Sequence, residues 1–416
     1  MKKEIGFAEA LHLTFANTGP LGSETLPLER LTGRVLSTDV VSKVDSPSVD
    51  ASLKDGYAVR SQDLEHASVA APVVLELTGR AAAGNATTLR VDPGQAIRVT
   101  TGAPIPVGAD AVLAEEFTEV SGRTVVCREG AESGRNVLPR GTDIRKGATV
   151  AKSFDRITPP LVGLLATAGI DLVEVFRNPL VCVMATGDEI VAPGHPLPEG
   201  MLYASNLTEI CAWLAQHRVP TQVSFAGDTA TEVASAIEQQ IDYVDAFISS
   251  GGIWGSERDL MLQVLEAKSW HGIYHRVRIG PGKAIAFGLL KDKPFFCLPG
   301  GPPSNEMAFL QIALPGILRM IGHTGDIFPL VRARLAATVR GVSNWTQFIH
   351  AEFAETKDGP TVTPLEQKSR LQSMAEKNAL ICIPEGCEVL TEGTVINAQI
   401  LDIQALNTSE PQWVRG

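Results

Sequence analysis

The chain has 416 residues, 44% of them apolar and only 6% aromatic, with a formal net charge of −11. That length exceeds one ordinary domain and implies roughly two to four. The acidic balance excludes a generic binder of nucleic acid or anionic membrane, which needs a basic face; a small anionic ligand stays open, because local basic groups can dominate a cleft.

The start, Met1-Lys2-Lys3-Glu4-Ile5-Gly6, lacks the uninterrupted apolar core of a secretory signal, and no stretch approaches the length of a membrane span. Cysteines 127, 182, 211, 297, 382 and 387 form no Cys-x-x-Cys pair, and several sit inside apolar runs. A soluble protein of a reducing, cytoplasmic compartment is expected. Residues 7–17 read as a helix ended by Asn17-Thr18-Gly19-Pro20. From about 47 to 143 short β-like runs are split by Gly and Pro, as in Pro72-Val73-Val74-Leu75-Glu76-Leu77, which predicts a separate β-rich module. Thr158-Pro159-Pro160 opens a helix, with Thr158 as N-cap and Pro159 in the first turn, and Gly169 closes it.

Between 179 and 322 the pattern alternates. Strands are predicted at 180–185, 221–226, 244–249 and 294–298, and helices at 204–217, 229–241, 257–267 and 303–321. Such alternation implies βαβ units and a mainly parallel sheet. After Gly325, Val331, Ala333, Leu335, Ala337 and Val339 alternate with Arg332, Arg334, Ala336 and Thr338, predicting a small C-terminal β domain.

Three glycine-rich loops punctuate the alternating region: Ala185-Thr186-Gly187-Asp188-Glu189, Ser249-Ser250-Gly251-Gly252 and Leu298-Pro299-Gly300-Gly301-Pro302-Pro303-Ser304. Each follows an apolar run and precedes a helix-like stretch. In open parallel sheets, ligands sit outside the carboxyl ends of the strands, where backbone N–H groups attract anions. Acids at Asp188, Glu189 and Asp259 lie in or after these loops, and the combination suits a magnesium-assisted nucleotide or phosphate-ester site. His271 and His275 stand four apart, but with Gly272 between them in an extended-looking segment they need not share a face.

Set beside Asp55-Gly56-Tyr57-Ala58-Val59, Thr101-Gly102-Ala103-Pro104-Ile105-Pro106, Arg140-Gly141-Thr142-Asp143-Ile144 and Pro281-Gly282-Lys283, these loops make the whole chain resemble the MoeA family. That family comprises molybdopterin molybdenumtransferases related to the E domain of gephyrin. The resemblance implies a multidomain α/β protein: a linking and dimerisation segment at 1–46 plus 144–178, a β-rich lobe at 47–143, a doubly wound α/β domain of the MoaB/MogA type at 179–326 and a C-terminal β-barrel at 327–416. It implies a homodimer with its site in a cleft between subunits, and possible protein partners in a molybdopterin-adenylylating enzyme or a recipient apoenzyme. It implies an enzyme that takes adenylylated molybdopterin, uses Mg²⁺ to cleave the adenylate, inserts molybdate or tungstate and releases AMP. A non-catalytic molybdopterin carrier is the alternative from another class.

Carried over position by position, the resemblance makes Asp55, Glu189, Asp259 and Lys283 catalytic and Glu189, Asp228 and Asp259 metal-binding. Asp228 is equally an N-cap for the helix that follows it. Thr101, Asp143, Thr186, Gly187, Asp188, Ser250, Gly251, Gly252, Arg276, Gly282, Pro299, Gly300, Ser304 and Ser369 are expected to bind the cofactor. Asp143 is alternatively a partner of Arg140 or Arg145, and Ser304 alternatively a cap. The family pattern breaks where the chemistry is expected. Ile253-Trp254-Gly255 replaces Val-Ser-Val after the SSGG loop, Gly280 replaces a Lys, Gly301 replaces an Asn, His350 replaces an Arg, Lys368 replaces a Gly and Lys54 replaces a Met. The retained acids favour the enzyme; the missing basic groups favour the carrier, with Arg278 placed to compensate if it points inward.

Overall fold

The computed structural model describes residues 1–85, 88–252, 260–365 and 369–402. Two compact units emerge, one formed by Met1–Ser23 with Phe176–Gly416 and the other by Glu24–Val175. No helix among the described residues is long and apolar enough to cross a membrane.

The unit Glu24–Val175 is built around a six-stranded sheet ordered Ala111–Ala114, Gly56–Val59, Gln95–Val99, Val73–Ala81, Thr124–Cys127 and Thr118–Ser121. Alternation along its strands feeds two cores. Tyr57 and Val59 pack with Leu64, Leu75 and Leu113, while Ala58 packs with Ile97, Val99 and Val112. Period-2 side-chain direction produces that division. The helix Pro159–Thr167 forms as expected, the Thr158 hydroxyl accepting from the Leu161 N–H at 3.4 Å.

In the larger unit, four strands run parallel in the order Thr221–Ala226, Val181–Thr186, Ala246–Ser250 and Lys293–Leu298. The sheet then turns antiparallel through Ala286–Leu290 to His271–Gly280, which also pairs in parallel with Lys2–Gly6. The expected sheet is therefore parallel only over its first four strands. Helices cover both faces. Val181, Val183 and Ala185 face the core shared with Leu207, Ile210 and Leu214 of the helix Ser205–Gln216; Cys182 and Met184 face Val233 and Ile237 of the helix Ala230–Gln240 and Met261 and Leu265 of Leu260–Ala267. Burial on both sides explains why Val181–Thr186 reads as an unbroken apolar run.

The predicted helix at 303–321 is three pieces: α-helix Pro302–Ala308, a π-helical turn Phe309–Ala313 and α-helix Leu314–Arg319. Pro315 has no N–H to offer and its ring cannot pass the carbonyl of Gln311, so the preceding turn widens. A register shift between Gly272 and Tyr274 separates the two histidines: His271 is exposed and His275 is buried.

Beyond this, five strands close into a ring. Thr346–Thr356 pairs with Gly359–Pro364 and Ala379–Ile383, and Leu330–Leu335 joins Gly359–Pro364 to Val395–Ile400, which pairs with Ala379–Ile383. Ala333 and Leu335 point into this barrel with Phe353, Val362, Ile381 and Ile400, as the alternation predicts. The six cysteines are unpaired, and Cys127, Cys182 and Cys297 are buried.

Candidate functional site

The carboxyl ends of the parallel strands carry the three loops, and the loops converge. Val181–Thr186 ends in Thr186, only 8% exposed, whose hydroxyl donates to the Ser250 carbonyl at 3.4 Å. Gly251 follows with φ +102, and its N–H donates to the Leu298 carbonyl at 3.1 Å, joining the second loop to the third. A Cβ at Gly251 would stand 2.9 Å from Thr186 Oγ1 and 3.0 Å from its carbonyl oxygen, so glycine is required both by conformation and by close approach.

Two asparagines fasten these loops. Asn305 Nδ2 donates to Ser250 Oγ at 3.0 Å and to the Pro299 carbonyl at 2.7 Å, and Asn305 is 2% exposed. Asn206 Nδ2 donates to the same Ser250 Oγ at 3.1 Å and to the Gly300 carbonyl at 2.8 Å. Neither asparagine stands among the residues expected from sequence. Each lies in the first turn of an ordinary helix, and nothing in its local pattern announces that it turns back on a loop.

A cavity of about 690 Å³ opens between the loops, lined by Thr186, Glu189, Ser250, Gly251, Gly300 and Gly301 of the expected set's loops together with Tyr203, Asn206 and Pro302. Its far wall is Arg370 and Leu371, from the helix Arg370–Glu376. Ser369 caps that helix, its hydroxyl accepting from the Gln372 N–H at 3.4 Å. A second hollow of about 470 Å³ shares Thr186 and adds Asp228, Gly252 and Met261. Asp188 and Asp228 bind reciprocally: each carboxylate accepts the other's backbone N–H at 3.2 Å. The N-cap of Ala230–Gln240 is Thr229, whose hydroxyl accepts from the Glu232 N–H at 3.2 Å. The capping alternative for Asp228 is thereby corrected: its carboxylate serves the Asp188 loop.

The expected basic groups do not gather here. Lys283 is exposed, lines neither hollow, and holds its ammonium 5.9 Å from the Trp345 ring centroid. Its neighbour Gly282 does approach the third loop's helix, a Cβ there lying 3.2 Å from the Ser304 carbonyl oxygen. Arg276 pairs with Glu4 at 3.7 Å. Arg278, the expected substitute, is occupied by the Glu385 carboxylate at 2.7 Å, the Glu4 carbonyl at 2.7 Å and the Asn344 carbonyl at 3.2 Å. His350 is buried, with Nε2 3.3 Å from Glu306 Oε2. Asp259, Trp254 and Lys368 lie outside the described residues.

In the other unit, Asp55 and Thr101 do meet. Asp55 Oδ1 accepts the Thr101 N–H at 2.6 Å and its hydroxyl at 3.0 Å, and these bonds hold the carboxyl below the usual aspartate range. Asp143 is exposed, and Arg140 takes Asp45 as its partner, with 2.7 Å from Nε to Oδ2. That corrects the alternative pairing of Asp143 with Arg140.

Among the described residues no group of three or more His, Cys, Asp or Glu could hold a metal ion by itself. The acids at the loops offer only carboxylate oxygens. Such donors fit Mg²⁺, which takes one or two protein carboxylates and completes its shell with water and substrate phosphate.

Comparison with known proteins agrees with this geometry along the chain. Residues 5–169 match the family model of the MoeA N-terminal region (domain I and II). Residues 182–319 match a probable molybdopterin binding domain, and residues 332–401 the MoeA C-terminal region (domain IV). A molybdopterin molybdenumtransferase of Haemophilus influenzae is 33% identical over 306 residues, 73% of this chain and 74% of the relative. One from Bacillus subtilis is 29% identical over 398 residues, 94% of this chain and 92% of the relative. The crystal structure of a molybdopterin biosynthesis MoeA protein from Pyrococcus horikosii superposes with a TM-score of 0.84 at 31% identity, covering 96% of this chain and 99% of that one.

Proposed function

The chain belongs to the MoeA family, and from that premise we propose that it is a molybdopterin molybdenumtransferase acting in molybdenum-cofactor biosynthesis. The proposed reaction cleaves the phosphoanhydride of adenylylated molybdopterin, releases AMP and leaves molybdate or tungstate metal on the dithiolene. What carries this reading is the single cavity where the loops at Thr186, Ser250 and Gly300 converge. Asn206 and Asn305 fix that loop geometry before a ligand arrives, so their donors need no reorganisation on binding. The small residues Gly251, Gly300 and Gly301 let a flat or phosphate-bearing ligand approach backbone directly. Glu189 and Asp228 would hold Mg²⁺, with Asp259 as a third acid; when bound, the ion offsets charge on the phosphate being cleaved. We also propose the four-part division at 1–46 with 144–178, 47–143, 179–326 and 327–416, and a homodimer, measurable by light scattering.

The test is AMP release by the purified chain from adenylylated molybdopterin with Mg²⁺, comparing molybdate, tungstate and no oxyanion. Oxyanion-stimulated AMP release is expected, and the better oxyanion names the metal. The engagement of Arg278 by Glu385 and of His350 by Glu306 favours the carrier as second reading. Tight molybdopterin binding without AMP release under any condition would establish that reading instead.

A further inference from the structure

The cavity has one acid and one base among its described lining residues, Glu189 and Arg370, and they come from different parts of the unit. Every other cation expected to face a ligand is accounted for elsewhere: Arg276 by Glu4, Arg278 by Glu385, Lys283 over Trp345. Lys377 and His350, although close in the fold, both turn to Glu306. Arg370 is exposed, forms no ion pair with a described residue, and is one of the residues lining the cavity.

The helix presenting Arg370 is seated firmly. Ser373 and Met374 bury its inner side, and Ser369 caps its start. Just beyond its last turn, Lys377 donates to the Glu306 carboxylate and to the Met374 carbonyl, the latter at 2.7 Å. Glu306 belongs to the helix Pro302–Ala308 that leaves the Gly300–Gly301 loop. One buried ion pair therefore ties the helix of Arg370 to the loop forming the adjacent wall. An arginine carried on a helix anchored this way can offer a planar fork of N–H donors that matches two oxygens of a tetrahedral anion, and it stays charged at any working pH.

We propose that Arg370 is the anion-contacting residue of this cavity, taking either the phosphate carried by the pterin ligand or a free tetrahedral oxyanion. The proposal rests on the reading of the cavity as the molybdopterin site and adds the residue that supplies its positive charge. The test measures binding to the full-length chain by titration calorimetry, with molybdopterin in one arm and sodium tungstate in the other. Wild type is compared with Arg370→Gln and Arg370→Lys at two salt concentrations.

Arg370→Gln is expected to weaken one arm by about tenfold or more, the scale of a lost charge-assisted hydrogen bond. Loss in the molybdopterin arm identifies the ligand's phosphate; loss in the tungstate arm identifies the free oxyanion. Arg370→Lys should recover part of the affinity and its salt dependence, which a purely structural role would not produce. Wild-type binding of molybdopterin with both variants within twofold in both arms would overturn the role of Arg370 and leave the reading of the cavity standing. Absence of molybdopterin binding to wild type would overturn that reading itself.

Discussion

Lys377 meets Glu306 with both side chains withdrawn from water, 4% and 1% exposed respectively, at the point where the barrel's short helix packs on the helix leaving the Gly300–Gly301 loop. Removing one member leaves the other charged and uncompensated in a low-dielectric site. Glu306→Leu or Lys377→Met should each cost about 3–5 kcal/mol of stability. The double variant should cost clearly less than the sum of the two, because neither charge is then stranded. Urea unfolding of the four proteins provides the cycle; simple additivity would mean that the pair is not coupled.

Glu209 stands next to this pair, on the helix that also carries Asn206. Burial pushes its carboxyl up to about 8, reinforced by the hydrogen bond to Glu306 and by that carboxylate's charge, and opposed by Lys377 and Trp213. Burial also works to raise Glu306, but the approach of the His350 imidazole at 3.3 Å, the charge of Lys377 and the neighbouring Glu209 carboxyl carry it below its usual range. The two linkages have opposite signs. Glu209 holds its proton more tightly folded than unfolded, so its contribution is full below the ordinary glutamate value of 4.5 and is lost as pH rises toward about 8. Glu306 contributes above the ordinary glutamate range and loses that contribution as pH falls. Glu209→Gln should therefore gain stability over wild type as pH rises from 5 to 8, read as a growing difference in urea midpoint. A difference that stays constant with pH would remove Glu209 as the titrating group.

Asn305 bridges Ser250 Oγ and the Pro299 carbonyl from a buried position. Asn305→Ala strands that carbonyl and should cost about 1–3 kcal/mol. It should also weaken molybdopterin binding, because the third loop loses its inner fastening. Asn206→Ala acts on the same loop from a half-buried position and should do less of both. Thermal melts and ligand titration of the two variants, side by side, check the ranking.

The Asp55–Thr101 bonds divide into a backbone and a side-chain contribution. Asp55→Asn should lower AMP release by on the order of a hundredfold if this carboxylate acts in the reaction, with little change in melting temperature at an exposed site. Thr101→Val removes only the hydroxyl bond and should cost about tenfold or less, since the 2.6 Å bond from the backbone N–H remains. Undiminished turnover in Asp55→Asn would take Asp55 out of the site.

What the sequence made legible follows a physical division. Local rules sufficed where neighbours in sequence decide the outcome: the Thr158 cap with Pro159 behind it, the alternation of Ala333 and Leu335, the apolar run of Val181–Thr186. They failed where distant segments decide. The strand Ala286–Leu290 breaks the parallel order and carries no pattern distinct from its neighbours. Asn206, Asn305 and Arg370 read as routine positions in helical first turns, and only the packing of three helices around one set of loops gives them a role. Arg278 was expected to substitute for a missing base, but Glu385 is 107 residues away in sequence, too far for any local pattern to reveal the pairing.

The cysteines bear on selectivity for sulfur. Burial pushes the thiols of Cys182 and Cys297 up to about 12 and those of Cys127 and Cys382 up to about 11, and raises Cys211 as well. At neutral pH these five side chains are protonated and hold no thiolate to offer a soft metal. In the proposed reaction these five buried thiols stay out of competition with the dithiolene for the metal, because a protonated sulfur is a poor ligand.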